Sequence, residues 1–324
     1  MGQTLRYILK RLLFAIPLVI GITAFSFFLM KMAPGDPIAH MMDPSINPEM
    51  LAQIRQNLGL DLPWYQQYFR WLREILSGNM GYSMLTGQSV SEALITRLPA
   101  TLGLSLASLA ITMIGGTIWG LFAAWKAPHW IAKTLSFLAI FFLSIPSFWL
   151  GMVLIIIFSL QLNWFPSSGM IDPILYNQHA WLRWKSMLWH GVLPVTALSL
   201  ASMAAISRYV RYEAQALFQN PFILVARARG LSEPRVAYHV WRNSLLPMIT
   251  LLGLELPGLV GGAYLIEFIF SWPGMGQLLL SAVFSRDYPV MMGGLLMTAV
   301  LIVIGSLIAD VLYRVADPRI RRPS

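Results

Sequence analysis

Residues 226–247 read ARARGLSEPRVAYHVWRNSLLP, a polar segment that lies between two apolar stretches of the chain. It carries four arginines, although charged residues make up only 11% of the whole sequence. A glycine and a Ser-Glu-Pro turn follow the second arginine. This contrast indicates that the polar segment lies in water and that the apolar stretches beside it do not.

The composition identifies the surroundings of the apolar stretches as a lipid bilayer. Hydrophobic residues make up 57% of the 324 positions, and the charged fraction is well below the roughly 25% of a soluble domain. The apolar residues form blocks of about twenty, the length that crosses a bilayer as a helix. Backbone groups in lipid must be satisfied within the segment, so we expect an all-α integral membrane protein. Six transmembrane helices are predicted, at about 9–30, 100–124, 134–160, 191–210, 245–265 and 291–313.

The basic residues predict the orientation of these helices. With a cytoplasmic N-terminus, 15 of the 23 Lys and Arg residues fall in cytoplasmic segments, against three acidic residues there. Because cytoplasmic loops are enriched in Lys and Arg, we expect both termini to be cytoplasmic. The net charge of +9 then reflects topology, and nucleic acid is not an expected partner. The first apolar run is longer than that of a signal peptide and no A-x-A site follows it, so we expect it to remain as helix 1.

The segment 33–98, between the first two spans, is predicted to be an extracytoplasmic helical loop. Asn-Pro at 47–48 favours a helix start there. The stretch 63–78 places aromatic residues on one face of an amphipathic helix that ends at Gly78. Ser89 and Glu92 match a capping box that opens a short helix up to Pro99. We expect these helices to pack on the protein's own outer face, to contact substrate or an external partner, or to do both.

Small residues predict close helix packing inside the membrane. Gly116 and Gly120, and likewise Gly258 and Gly262, are four residues apart in apolar runs. Such pairs let two helix backbones approach each other closely. We interpret both pairs as packing motifs.

The sequence carries no motif for chemistry of its own. The dipeptide Gly-Lys never occurs, which excludes a P-loop, and neither H-E-x-x-H nor a paired-carboxylate motif is present. The five histidines are scattered over both sides of the membrane, so a metal cluster is not expected, and the absence of cysteine excludes thiolate sites. We therefore expect no cofactor bound by this chain and no enzyme activity.

Two acidic residues fall inside predicted spans. Burying a charge in the bilayer costs free energy, so an ionisable residue there is usually a functional one. Glu255 lies midway through the fifth span and is followed by Pro257. One interpretation is a pathway-facing carboxylate that meets a cationic or amine-bearing solute. The alternative is a protonated or hydrogen-bonded group between helices. Asp310 is predicted to pair with Arg314, one turn further along the sixth span.

The polar segment has clear helix signals. Asn220-Pro221 predicts the start of a short helix over 221–229, and Gly230 predicts its end. Ser232 is predicted to cap a second helix that leads directly into the fifth span. A short, half-apolar helix of this kind is suited to docking in a groove of another protein. The alternative function is an anchor to anionic lipid.

This segment resembles the cytoplasmic coupling segment of ABC-importer permeases, in the dipeptide/oligopeptide/nickel/glutathione branch. The likeness extends over essentially the whole chain. LRYILKRLLFAIPLVIGITAFSFFLMKMAPGDP at 5–37 resembles the N-terminus of that branch. IEFIFSWPGMGQLLLSAVFSRDYPV at 266–290 resembles the segment before its last helix, and LYRVADPRIR at 312–321 resembles its ending.

The resemblance implies a type I importer permease fold of the bacterial inner membrane. It implies a second homologous permease, two cytoplasmic ATP-binding subunits that hold ATP and Mg, and an extracytoplasmic solute-binding protein as partners. The implied organisation is a tail with helix 1 at 1–32, the outer loop at 33–98, a core at 99–313 with the coupling segment at 212–244, and a cytoplasmic tail at 314–324.

The resemblance also assigns the coupling residues. It places Ala226, Ala228 and Gly230 in the groove of the ATPase, with Arg227 and Arg229 beside them, and it includes Leu231 and Ser232 in the same segment. Leu224 stands where the family consensus has Glu, and Pro221-Phe222 replaces a more usual acidic-aromatic pair.

The implied function is ATP-driven import of di- and oligopeptides, with nickel chelates or glutathione as alternative solutes. Two other classes are a proton-coupled secondary transporter that uses Glu255 and a scaffold that only recruits a partner. The secondary transporter would need inverted repeats or a chain of ionisable residues, and the sequence shows neither.

Overall fold

The structure is a computed structural model that describes residues 2–32, 53, 56, 59, 61–259, 261 and 263–316. The predicted helix start at 47–48 lies outside these residues. The described part of the chain is helical and contains no strand, only an isolated bridge between Tyr82 and Ser89. The α-helices whose bounds are described are, in chain order, α1 (Gly2–Met32), α2 (Trp64–Leu76), α3 (Val90–Trp125), α4 (Trp130–Ser144), α5 (Ser147–Leu154), α6 (Ala180–Phe218), α7 (Pro221–Ala228), α8 (Glu233–Glu255), α9 (Tyr264–Ile269), α10 (Met275–Ser285) and α11 (Tyr288–Ala316).

Four of these helices are long and apolar enough to cross a membrane, by length and composition. They are α1, α3, α6 and α11, with apolar spans at Ile8–Met32, Val90–Trp125, Ala180–Phe218 and Tyr288–Leu312. They correspond to the first, second, fourth and sixth predicted spans. The all-helical, multi-pass character that the sequence predicted is therefore confirmed.

The third predicted span, 134–160, is broken in the structure. Helices α4 and α5 meet at a bend of 103°, so the pair is either one broken span or a re-entrant loop. Ile145 at the break is extended, with φ −94° and ψ 125°, because the residue before a proline avoids the helical conformation. Pro146 follows it, and α5 continues as a π-helical turn at Ile155–Gln161.

The fifth predicted span, 245–265, is also interrupted. Helix α8 ends at Glu255, a 3-10 turn follows at Leu256–Leu259, and α9 begins at Tyr264. Pro257 lies in the turn and has no N–H with which to continue the α-helical hydrogen bonding. The described structure thus supports four spans, or five with the bent pair, and the predicted count of six is not confirmed.

The short outer helix predicted to stop at Pro99 does not stop there. Helix α3 begins at Val90, directly after the predicted cap Ser89, and continues through Pro99 to Trp125. A proline removes one backbone hydrogen bond, and in long membrane helices neighbouring groups compensate for that loss. The predicted boundary between the outer loop and the core, at 98/99, therefore falls inside one continuous helix.

The first of two compact units is formed by Met1–Pro99 and Gly274–Val303. In it, the amphipathic helix α2 packs on α1 as its aromatic face predicts. The Tyr68 side chain is 4% exposed, and its hydroxyl donates to the carbonyl of Ile20 at 3.1 Å and lies 3.0 Å from Thr23 Oγ1. Gly78, the predicted stop, has φ +85° two residues after α2 ends.

In the same unit, the segment at 83–84 is hydrogen-bonded to the start of α11. The buried Asp287 accepts hydrogen bonds from the Ser83 hydroxyl and, at 3.2 Å, from the Met84 backbone N–H. Its Oδ1 also accepts from the N–H of Val290 at 3.5 Å, so the carboxylate caps the last helix.

The second unit is formed by Ala100–Pro273 and Ile304–Ser324. Its two long helical segments, from α3 and α6, approach each other at the predicted glycines. A Cβ on Gly116 would lie 2.9 Å from the Met203 carbonyl oxygen, and one on Gly120 would overlap the Ser207 carbonyl oxygen. The first packing motif is therefore confirmed. In the second pair, a Cβ on Gly258 would meet nothing within 4 Å, and Gly262 lies outside the described residues.

Candidate coupling segment and pathway cavity

The start of the polar segment folds by the local signals that predicted it. The Asn220 side chain accepts a hydrogen bond from the N–H of Phe222 at 3.3 Å, and Pro221 occupies the first turn of α7. Proline is favoured there because its missing N–H would have no helical partner. Helix α7 therefore begins where the sequence predicts, and it ends one residue earlier than predicted.

Gly230 forms an elbow between α7 and α8. Its φ is +80°, a conformation that costs other L-residues energy. The Gly230 N–H donates to the Arg227 carbonyl at 2.9 Å, and the Leu231 N–H donates to the Ala226 carbonyl at 3.2 Å. These two bonds make a Schellman motif, which satisfies the last carbonyls of α7. The direction of the chain between the helices is therefore fixed by backbone geometry.

An ion pair spans the elbow on its outside. Arg227 Nε donates to Glu233 Oε1 at 2.9 Å, and Arg227 Nη2 donates to Glu233 Oε2 at 3.1 Å. Both side chains are partly exposed, at 39% and 49%, so the pair contributes only about 0.2–1 kcal/mol. It orients Arg227 along its own chain, and its guanidinium also lies 5.9 Å from the Phe218 ring centroid.

A buried apolar cluster fixes the segment to the ends of α3 and α6. Ile223 of α7 is fully buried, as are Val236 and Val240 of α8. They pack with Ala124 and Ala214 and with half-buried neighbours that include Leu231. One face of α7 is thus part of the core of its unit. The segment is held as part of that unit rather than as a free loop.

The opposite face of α7 is apolar and exposed. Phe222, Leu224 and Val225 are 42%, 54% and 49% exposed, and Arg229 is exposed beside them. Exposed apolar side chains on a helix that is anchored by its other face are suited to contact with a partner protein. The eight residues of α7 are therefore divided between an anchoring face and a free face.

The residues predicted for coupling fall into distinct environments. Ala228, Arg229, Gly230 and Ser232 are exposed, Ala226 and Leu231 are half-buried, and Arg227 is exposed but engaged by Glu233. Sequence reasoning did not find the anchoring role of Ile223 or the partner role of Glu233. The opposite charges on the two sides of the elbow glycine were a signal for the second of these.

Helix α8 joins the elbow to Glu255 without interruption. It starts at Glu233 and ends at Glu255, 23 residues in all, which is roughly 34 Å at 1.5 Å per residue. A continuous helix of this length, which includes Pro247, connects the elbow directly to Glu255. The elbow and Glu255 are the two termini of a single element.

Glu255 lines a cavity of about 130 Å³. The carboxylate shares it with hydroxyl side chains and small residues from α3, α6 and the chain after α8. The lining residues are Ser105, Ser108, Leu109, Thr112, Leu198, Ser202, Gly258 and Ala263. Among the residues that the structure describes, Glu255 makes no ion pair, and none of the cavity-lining residues is basic.

Three of the hydroxyl residues form a stripe on α3. Ser105, Ser108 and Thr112 are spaced by three and four positions and are at most 7% exposed. The Ser108 hydroxyl donates to the Leu104 carbonyl at 2.9 Å, and the Thr112 hydroxyl donates to the Ser199 carbonyl at 3.3 Å. This spacing places the stripe on one helix face, so a polar wall faces Glu255 inside an otherwise apolar segment.

The second intramembrane acid is separate from this cavity. Asp310 lies in α11, and its predicted partner Arg314 has a side chain outside the described residues, so the pairing stays a prediction. In the described ranges, no group of three or more His, Cys, Asp or Glu residues could hold a metal ion.

Comparison with known proteins identifies relatives over the whole chain. The model of the family "Binding-protein-dependent transport system inner membrane component" matches residues 116–322, and the model of its N-terminal region matches residues 4–106. The oligopeptide transport system permease AppB of Bacillus subtilis is 40% identical over 97% of this chain and 98% of its own length. The di/tripeptide permease DppB of Pseudomonas aeruginosa is 36% identical, over 98% and 99%.

A solved structure shares the fold. The inward-facing MetNI methionine ABC transporter matches with a TM-score of 0.55, over 70% of this chain and 97% of its own. The sequence identity is 18%, so this likeness concerns the fold alone.

Proposed function

The chain belongs to the family of binding-protein-dependent transport system inner-membrane components, and on this premise we propose that it forms half of a translocation pathway for di- and oligopeptides. It is a membrane permease of an ABC importer, as its relatives and its fold indicate. Peptides are the proposed solute because the relatives named above are peptide permeases, and this chain matches them along nearly their full length. No observation on this chain favours nickel chelates or glutathione over peptides.

The observation that carries the proposal is the divided surface of α7. Ile223 fixes the helix to its unit, while Leu224 and Val225 present an apolar surface to water. We assign that exposed face, with Ala228, Arg229 and the elbow at Gly230, to the groove of a cytoplasmic ATPase. The chain has no P-loop of its own, so ATP and Mg would be held by two ATP-binding subunits.

The geometry suggests how ATPase movement reaches the pathway. A displacement of α7 is passed through the Schellman turn to α8, because the turn is braced by two backbone hydrogen bonds and by the Arg227–Glu233 pair. Helix α8 carries the displacement to the 3-10 turn at Leu256–Leu259 that follows it. The cavity beside Glu255 lies at this end, so its shape follows the state of the ATPases.

The remaining partners are part of the same proposal. A second homologous permease would complete the pathway, and an extracytoplasmic solute-binding protein would deliver the peptide. Both termini are assigned to the cytoplasm of a bacterial inner membrane, which places the elbow on the ATPase side. The outer helix α2 is then on the side of the binding protein.

Reconstitution tests this function. The complex with its ATPases, second permease and binding protein is placed in liposomes and supplied with labelled tripeptide, glutathione or a nickel chelate. We expect uptake of the tripeptide that requires ATP and persists when the proton gradient is collapsed. Uptake driven by a proton gradient in liposomes that hold this chain alone would refute the proposal and favour a secondary transporter. Uptake of only glutathione or nickel would refute the peptide assignment.

A further inference from the structure

We propose that the cavity beside Glu255 is a cation site that receives the α-ammonium group of the peptide in transit. The inference rests on the proposed function for the identity of the ligand, whereas the cation preference itself follows from the cavity. A cavity of about 130 Å³ has room for an ammonium group and the atoms next to it. We expect one end of the substrate to occupy it.

The charge of the lining sets the class of ligand. Glu255 is the one ionisable residue in the described lining, and its surroundings are hydroxyls and small apolar groups. An anion would meet repulsion from the carboxylate, so the cavity suits a positively charged ligand.

The hydroxyl groups are arranged as acceptors. Ser108 and Thr112 donate their hydrogens to the carbonyls of Leu104 and Ser199, at 2.9 and 3.3 Å. A hydroxyl whose hydrogen is used in this way offers only its lone pairs to the cavity. An ammonium group has three N–H donors and no acceptor, which matches a wall of oxygen lone pairs opposite a carboxylate.

The position of the site at the end of α8 couples it to the ATPases. Because Glu255 ends the helix that starts at the elbow, ATPase movement would shift the carboxylate relative to the α3 hydroxyls. The cation site would thus be made and broken in each cycle, and the peptide would be held by its N-terminus on this subunit.

The absence of cysteine from the chain permits a direct test of the cavity potential. Ser202→Cys puts a single thiol in the lining, and the assembled complex is treated with a cationic aminoethyl or an anionic sulfonatoethyl methanethiosulfonate. Modification is read on the band of this chain, with the cysteine-free parent as blank, and each rate is divided by that of a free thiol. We expect the cationic reagent to be favoured by about tenfold or more, because a fixed charge acts strongly in a cavity of low dielectric constant.

Matched variants locate the source of that preference. In the Ser202→Cys background, Glu255→Gln should abolish the preference, whereas Glu92→Gln, which removes an exposed carboxylate outside the lining, should leave it intact. Equal rates for the two reagents, no reaction with either, or a preference that survives Glu255→Gln would each overturn the cation site. Assembly of each variant is checked by recovery of the partner subunits.

Protection experiments identify the cation. A tripeptide with a free amino terminus should slow the cationic reagent, and the N-acetylated tripeptide should not. The assignment to the peptide terminus would be overturned if both peptides slowed modification equally. It would also be overturned if sodium or ammonium ions slowed modification more than the free tripeptide does. If the reconstituted complex does not take up peptide but the thiol at 202 still prefers the cationic reagent, the proposed function alone is refuted. If the complex takes up peptide but the thiol shows no preference, this inference alone is refuted.

Discussion

Gly230 gives the sharpest test of the elbow, because its conformation and its surroundings make opposite demands on a side chain. Its φ of +80° disfavours any L-residue, yet a Cβ built there meets nothing within 4 Å. The cost of Gly230→Ala is therefore the backbone term alone, about 1–2 kcal/mol for a left-handed residue. Gly230→Asn should cost less, because Asn visits this region more readily.

Proline at this position should do more damage than alanine. It fixes φ near −65° and removes the N–H that donates to the Arg227 carbonyl at 2.9 Å. The Schellman turn cannot form with either change. Gly230→Pro therefore opens the elbow instead of straining it. We expect the disruption to increase from Asn to Ala to Pro.

Amide hydrogen exchange of the complex in lipid nanodiscs measures these costs. The Leu231 N–H, which donates to the Ala226 carbonyl, reports the closed turn in every variant. A cost of about 1–2 kcal/mol raises its exchange rate roughly 5- to 30-fold in Gly230→Ala. Gly103→Ala is the matched control, because Gly103 lies in α3 with open space around it and should leave Leu231 unchanged. Equal exchange in Gly230→Ala and the parent, or faster exchange in Asn than in Ala, would refute the reasoning.

Three further predictions concern contacts inside one or the other unit. Gly120→Ala should lower the thermal unfolding midpoint, because its Cβ would overlap the Ser207 carbonyl oxygen, and such overpacking costs about 1–3 kcal/mol; an unchanged midpoint by intrinsic fluorescence would contradict the packing. A double-mutant cycle of Arg227→Ala and Glu233→Ala should give a coupling energy below about 1 kcal/mol that falls with added salt; a larger, salt-insensitive energy would show a stronger role for the pair. Asp287→Ala should speed amide hydrogen exchange at Met84, whose backbone N–H donates to the Asp287 carboxylate, at a cost of about 1–3 kcal/mol; unaltered exchange at Met84 would argue against that hydrogen bond.

The elbow could be predicted from the sequence because its signals are local. Asn220, Pro221 and Gly230 each fix a backbone conformation through their own chemistry, and the structure shows a helix, a glycine turn and a second helix in that order. The amphipathic helix α2 was predictable for a similar reason, since its apolar residues fall on one face.

Prolines in apolar runs were harder to interpret. Pro99 lies within a continuous helix, whereas Pro146 and Pro257 mark breaks. The difference depends on which neighbouring groups replace the lost hydrogen bond, and that is a property of the packed bundle rather than of the local sequence. The spans at 134–160 and 245–265 are therefore predicted as single helices, whereas the structure interrupts both of them.

The division of α7 could not be predicted, because adjacent residues of the same apolar type have opposite roles. Ile223 is buried and Leu224 is exposed, and an eight-residue helix is too short for periodicity to distinguish them. The cavity beside Glu255 could be predicted only in part from the sequence. The spacing of Ser105, Ser108 and Thr112 marks a polar face on the second span, but only the fold shows that this face meets Glu255.

The most direct test of the account is recovery of partners from the native host. The tagged chain is purified in mild detergent as wild type, as Gly230→Pro and as Arg229→Glu, with Gly103→Ala as control. We expect two ATP-binding subunits and a second permease to be recovered with the wild type and the control, and the ATPases to be lost from the two elbow variants. A chain that purifies alone and still transports would contradict it.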